Sequence, residues 1–345
     1  MWRSLSWTWN CIRGHPIIAC ALVIFLVAVS VVIVLPSLNG DRPTPPAAGE
    51  ASGKLKVRHK VSLGPTQPAG IAVSPDGSRI YTANGTSDTV SVVDAARYTV
   101  AATIPVPGYP VTIAFHPSGK RAYVASPYGN RISVINADTL SVIGTVAVEN
   151  PNGIAISRDG MRAYVTSGDS VAIIDTSTYA VIESIRTARD PIGIALSPDN
   201  ARLYVASYQT SSISVIDTAS NNLVSTIRVG KQPRRIEITP DGLIAYVTNY
   251  TGNSVSVIDT STNKIIKTLP AGRASGGLAI TPDGRWALVT SYYAASVSAI
   301  DTSMNRVTSV APVGAGPDSV AASPTGNLAY VANADDGSIS IVEVL

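Results

Sequence analysis

Cysteine and histidine are nearly absent from this chain, and charge is sparse. Its 345 residues include 2 Cys and 3 His. Cys11 and Cys20 both stand near the amino terminus, so nothing after residue 20 can form a disulfide framework or a thiolate metal site. Beyond the amino-terminal region only His59 and His116 remain. That scarcity argues against Ser-His-Asp hydrolysis, a histidine zinc site and the usual imidazole base. Charged residues make up 14% and the net charge is +3, of which residues 54–345 keep +2. Nucleic-acid binding wants a clearly basic face, and none is expected here.

What the chain has instead is a repeat. Tyr246-Val247-Thr248-Asn249 recurs in variant form at Tyr81, Tyr123, Tyr164, Tyr204, Leu288 and Tyr330, at spacings of 42, 41, 40, 42, 42 and 42. So regular a period means stacked copies of one supersecondary unit. The fifth copy shows the unit. A strand at Arg235–Thr239 meets the turn Pro240-Asp241-Gly242, where Pro presets φ and Gly supplies positive φ. The motif strand Ile244–Asn249 follows, then a polar loop. A third strand Ser254–Asp259, a turn and a fourth strand Lys264–Leu269 complete it. The third strands end in Asp94, Asn136, Asp175, Asp217, Asp259 and Asp301. These side chains are expected to cap their own turns rather than to form a carboxylate array.

Four antiparallel strands in about 42 residues is a propeller blade, and seven copies make seven blades. The chain ends at Leu345, after only three strands of the seventh copy. The unmatched strand is Leu55–Leu63, expected to be the outer strand of the last blade and to close the ring. The fold class is therefore all-β: a seven-bladed propeller over residues 54–345.

The Tyr-Val-Thr-Asn motif, with Pro-Asp-Gly before it and Ser254-Val255-Ser256-Val257-Ile258-Asp259-Thr260 after it, resembles the YVTN family of β-propeller repeats. The resemblance covers roughly residues 54–345. It implies the propeller fold and a bacterial or archaeal surface protein. It says little of activity, because the motif residues build strands and turns.

Residues 16–35 are an uncharged apolar run of 20. Such a run spans the roughly 30 Å hydrocarbon core as one transmembrane signal-anchor helix. Arg3 and Arg13 place residues 1–15 in the cytoplasm and the propeller outside. The alternative is a signal peptide cleaved near Ala47-Ala48-Gly49, which would release a secreted protein. Residues 36–53 form a Pro/Gly/Ala-rich linker, reaching roughly 23 Å if flexible.

Candidate site residues are those that break the repeat near the ring axis. The first strands carry two small residues there, such as Gly70 and Ala72 or Gly193 and Ala195. The fifth copy carries Arg235 and Glu237 instead, with Arg234 beside them. Side chains two apart on a strand share a face. One expectation is a self-neutralising Arg235–Glu237 pair plugging the channel. The other is an Arg fork offered at the channel mouth to a carboxylate or phosphate. Around this mouth Arg189, Arg273, Asp318, Tyr250 and Tyr292 fall in or beside inter-blade and second-to-third-strand loops. Tyr and Arg recur in binding hot spots. No metal or cofactor is expected, since Asp335-Asp336 supplies too few oxygens for calcium alone.

Three function classes remain. The preferred one is a non-enzymatic binding module in the cell envelope, with a protein, glycan or small anionic ligand as partner. The second is a lactonase-like hydrolase or lyase working at the channel mouth, with Glu237 and the arginines as its chemistry. The third is a structural surface protein.

Overall fold

The computed structural model describes residues 55–345. The expected segments 1–15, 16–35 and 36–53 lie outside the described residues, and among those described no helix is long and apolar enough to cross a membrane. The described chain forms 28 β-strands in seven antiparallel sheets of four. Blade 1 is Pro68–Val73, Arg79–Asn84, Thr89–Asp94 and Thr99–Pro105, counted from the axis outward. Blade 5 is Pro233–Ile238, Ile244–Asn249, Ser254–Asp259 and Lys264–Pro270. Its first strand stops one residue earlier than expected. Thr239 leaves the ladder to close the turn, its amide donating to the Ile244 carbonyl at 2.8 Å and its hydroxyl to Asp241 at 2.5 Å.

Blade 7 has the order expected from the unmatched strand. Pro317–Ala322, Leu328–Asn333 and Ser338–Val344 are followed on the outside by Leu55–Ser62, which pairs antiparallel with Ser338–Val344. Arg58 with Glu343, and Lys60 with Asp336 at 2.7 Å, pin this strand. The first strands of neighbouring blades pack on one another around the whole ring, blade 7 against blade 1 included. Two faces follow from the chain path. The turn face carries the tight turns between first and second, and third and fourth strands. The loop face carries the second-to-third-strand loops and the inter-blade connections.

The four motif residues divide the work of holding this together. The tyrosines are buried, and three of their hydroxyls reach the next blade's turn: Tyr246 donates to Asn305 Oδ1 at 2.5 Å, Tyr123 to the Thr176 carbonyl at 3.4 Å and Tyr204 to Asn263 Oδ1 at 3.4 Å. Burial pushes the Tyr246 hydroxyl up to about 12, so it stays a donor. Val247 is fully buried among the aliphatics between blades 4 and 5. Thr248 donates across to the Gly276 carbonyl of blade 6 at 2.9 Å. Asn249 donates to Ser254 and Ser256 at 3.1 and 3.0 Å and fixes its own loop. The turn chemistry is also as expected. Asp259 Oδ1 accepts the amides of Ser261 and Thr262 at 2.9 Å each, and Asn200 takes φ 60° in place of Gly.

The Leu55–Ser62 strand covers Ile339, Ile341 and Val342, all fully buried. Uncovering large aliphatics costs roughly 1.5–3 kcal/mol each. A chain beginning at Gly64 is therefore expected to lose about 4 kcal/mol or more and to unfold in a broadened, aggregating transition. Urea melts of chains beginning at Lys54 and at Gly64 check this. Equally sharp transitions would show that the strand does not close the ring.

Candidate functional site

Seven inner strands converge on the axis, and their backbones leave little room. A Cβ on Gly193 would stand 2.6 Å from the Arg234 carbonyl of the next blade. One on Gly277 would stand 2.7 Å from Ser319 Cα. Real Cβ atoms do not tolerate such distances, so glycine here is a requirement of the ring. Each inner strand except that of blade 2 has a register shift near its start, between Pro233 and Arg235 in blade 5 and between Pro317 and Ser319 in blade 7. A bulge leaves one residue unpaired and re-aims its side chain. The bulged residues here are Arg234 and Asp318, at the loop-face mouth of the channel.

These two meet. Arg234 Nη1 and Nη2 donate to Asp318 Oδ1 and Oδ2 at 2.6 and 2.9 Å, a bidentate pair joining blades 5 and 7. Blade 6 lies between them, and there the corresponding position is Gly276. A Cβ on Gly276 would come within 3.0 Å of Arg234 Nη1 and 3.3 Å of the Asp318 carbonyl. The glycine opens the passage for the strap. The Arg234 side chain is 24% exposed and that of Asp318 9%. The guanidinium also lies 5.3 Å from the Tyr250 ring. The Arg234 fork thus has a carboxylate within the protein.

Arg235 and Glu237 lie one layer deeper, as expected, but they do not form an ion pair among the described residues. On an extended strand they are stacked along the axis, and Arg235 turns across it instead. Its Nη2 reaches Thr112 Oγ1 of blade 2, on the far side of the ring, at 3.4 Å. The plug is therefore Arg235 on Thr112. Glu237 has no hydrogen-bond partner among the described residues. Burial pushes its carboxyl up to about 7, the Arg235 cation opposing only in part. Burial, then the neighbouring Arg234 cation, pulls Arg235 down to about 10, so it remains charged at neutral pH. These residues and Ser319 line an axial cavity of about 120 Å³. It can hold a few waters or a small oxyanion against the Arg235 donors.

Above the mouth the loops of blades 4 to 7 form a polar aromatic collar. Tyr292 donates to Asp335 Oδ1 at 2.6 Å, linking blades 6 and 7. Tyr293 packs edge-on to Tyr292 at 5.3 Å, and Arg273 lies 5.7 Å from the Tyr293 ring. Burial pushes the Tyr250 hydroxyl up to about 12, with the Arg234 cation opposing. Burial and the bond to Asp335 push Tyr292 up as well. Arg189 is exposed in the connection leading into blade 4 and takes part in no ion pair among the described residues. Of the expected site residues, the fold brings Arg234, Asp318 and Tyr250 into contact and joins Tyr292 to the same collar. It sets Arg235 and Glu237 below and leaves Arg189 at the edge. Sequence reasoning missed Gly276; its signal was the Gly276-Gly277 doublet where other copies have one glycine or none. No group of three potential metal ligands occurs among the described residues. Asp336, whose pairing with Asp335 supplies too few oxygens for calcium alone, is taken by Lys60 and the Ala315 amide at 2.7 Å each.

Comparison with known proteins supports a seven-bladed propeller repeat protein. A model of the lactonase seven-bladed β-propeller matches residues 223–345, and one of the cytochrome D1 heme domain matches residues 162–278. The seven-bladed beta-propeller protein Rv1057 of Mycobacterium tuberculosis is 29% identical over 175 residues, which is 50% of this chain and 34% of that relative. The matched part of the chain thus spans about a third of that relative's length. A hydrazine synthase chain of Kuenenia stuttgartiensis superimposes with a TM-score of 0.75 at 24% identity, covering 82% of this chain and 97% of that one, a likeness of fold. The axis does not fit a haem. His59 is on the outermost strand, stacked on Tyr98 at 5.3 Å, and His116 is held at a turn, 3.1 Å from the Gly160 carbonyl. Neither faces the channel, and a cavity of about 120 Å³ is too small for a macrocycle.

Glu237 gives a pH dependence whose sign is fixed. Its folded value lies above the ordinary carboxyl value of 4.5, so the folded state binds more protons than the unfolded chain between 4.5 and about 7. Stability is expected to fall across that window by about 3 kcal/mol at most and then to level off. Urea midpoints from pH 4.5 to 8 measure it. Glu237→Gln is expected to flatten the slope, and an unchanged slope would remove Glu237 as its cause.

Proposed function

We propose that the protein is a membrane-tethered extracytoplasmic propeller whose loop face binds an acidic envelope partner, protein or glycan, without chemical turnover. The observation that carries this reading is the collar. Tyr250, Tyr292 and Tyr293 sit side by side over the mouth, and the exposed Arg273 and Arg189 belong to no ion pair among the described residues. Rigid aromatic surface with arginine is the composition of binding hot spots. The Arg234–Asp318 strap and the Tyr292–Asp335 bond order that surface before a partner arrives, which lowers the entropic cost of binding. The apolar run 16–35 and the short linker after it support the tether.

A second reading is favoured by Glu237. A carboxyl near 7 in a channel is suited to general-base work, and the lactonase match at residues 223–345 includes it. Against it stands the cavity of about 120 Å³, which is below the volume of ordinary substrate pockets.

Arg189→Ala with Arg273→Ala is expected to weaken binding to envelope extract and to arrayed acidic glycans about tenfold or more while leaving the melting temperature unchanged. Binding unaffected by the pair of changes would place the partner elsewhere. Turnover of a lactone panel by the parent chain, lost in Glu237→Gln, would favour hydrolysis instead.

A further inference from the structure

A feature at the other end of the molecule is not used by the loop-face reading. Every outermost strand contains a bulge near its turn-face end, leaving one residue out of the ladder. In blades 2 to 5 that residue is Ile143, Ile182, Val224 and Ile266, each about half exposed. The residue before it is apolar and exposed as well, as in Val181 and Leu223. In blades 1, 6 and 7 the bulged residue is Ala101, Thr308 and Arg58. The apolar surface is therefore an arc densest over blades 2 to 5, where both positions are large and apolar, while blades 1 and 7 add only Val100 and Val57, and bulging alone does not explain it, since the bulged position elsewhere carries a small, polar or charged residue. The turn tips on the same face add Met161, Leu243 and Met304, exposed by 68%, 60% and 51%. Among the described residues, the large exposed apolar ones on the loop face are Tyr128 and Tyr293, and Val310 lies midway. Contiguous exposed apolar surface marks a docking site, where scattered residues do not.

The chain itself indicates what covers this face. Leu55 pairs with Val344, whose amide donates to the turn residue Asn327 at 2.7 Å. The first described residue, Leu55, therefore stands at the turn face. A linker of the composition of residues 36–53 reaches roughly 23 Å if flexible, and in sequence it follows directly on the apolar run 16–35. The face that collects apolar side chains is the face at which a tethered chain arrives. Exposed Lys264 and Lys267 beside Ile265 and Ile266, with the Lys267 ammonium 3.5 Å from the Met304 carbonyl of a turn tip, give this stretch the cationic character that suits an anionic headgroup layer.

We propose that the turn-face arc of blades 2 to 5, centred on Ile182, Val224 and Ile266, rests on the surface of a lipid bilayer, which turns the loop face away from the membrane toward its partner. This rests on the membrane-tether reading of residues 16–35, and the test separates the two. The full chain is reconstituted into vesicles of phosphatidylethanolamine and phosphatidylglycerol containing a diazirine-bearing acyl chain, irradiated, digested and mapped by mass spectrometry. Adducts are expected on residues 16–35 and on the outer-strand peptides around Ile143, Ile182, Val224 and Ile266. They are not expected on the loops around Tyr128 and Tyr293. Ile182→Asp with Ile266→Asp should cut arc adducts at least fivefold with 16–35 labelling unchanged. Circular dichroism on the same sample confirms that the two surface changes leave the fold intact. Labelling of 16–35 without the arc would overturn the docking and leave the tether. Labelling of neither would overturn both. Protomer-to-protomer crosslinks through an unlabelled arc would assign the surface to a second copy and overturn the proposal.

Discussion

Crowding at the axis is the constraint on which this molecule depends. Seven first strands run beside one another within backbone contact, close enough that a single Cβ at Gly193 or Gly277 would strike the next strand. Everything outward is set by that ring. Motif hydroxyls such as those of Tyr123, Tyr246, Thr166 and Thr248 tie a blade to its neighbour, the aliphatics between blades fill the wedge, and the outer strand of the last blade is supplied by Leu55–Ser62. A closed ring leaves no blade face uncovered and only short edges, which the outer bulges blunt.

In such a ring a large charged side chain at the axis needs a place to go, and the fifth blade shows two solutions. Arg234, re-aimed by the bulge, crosses blade 6 over Gly276 and meets Asp318. Arg235 crosses the axis itself to Thr112. Both tie blades that are not sequence neighbours, so the mouth is braced across the ring as well as around it. The collar of Tyr250, Tyr292 and Tyr293 stands on that brace, which is why the proposed partner face is there.

Most of the architecture was legible in the sequence because the repeat states it seven times. The period gave the blade number, the missing fourth strand of the last copy gave the closure, and Asp259 and Asn200 behaved as local turn chemistry requires. The site was only half legible. Arg234, Arg235 and Glu237 stood out as breaks in a pattern of small residues. Their partners did not. The partner of Arg234 is two blades away, and that of Arg235 is across the axis; such meetings depend on angular position around the ring and on side-chain direction. The expected Arg235–Glu237 pair failed for the same reason, since neighbours along one strand lie in line while the space lies across. Gly276 carried no signal beyond an extra glycine, because its role exists only once Arg234 and Asp318 are placed on either side of it.

The strap between Arg234 and Asp318 is the most exacting part of this picture, and a double-mutant cycle addresses it directly. Urea unfolding of the parent, Arg234→Met, Asp318→Ala and the double variant gives their coupling energy. A bidentate, largely buried pair should show coupling of about 2 kcal/mol, each single change costing more than half of what both cost together. Additive effects, within about 0.5 kcal/mol, would mean that the two side chains do not brace the mouth.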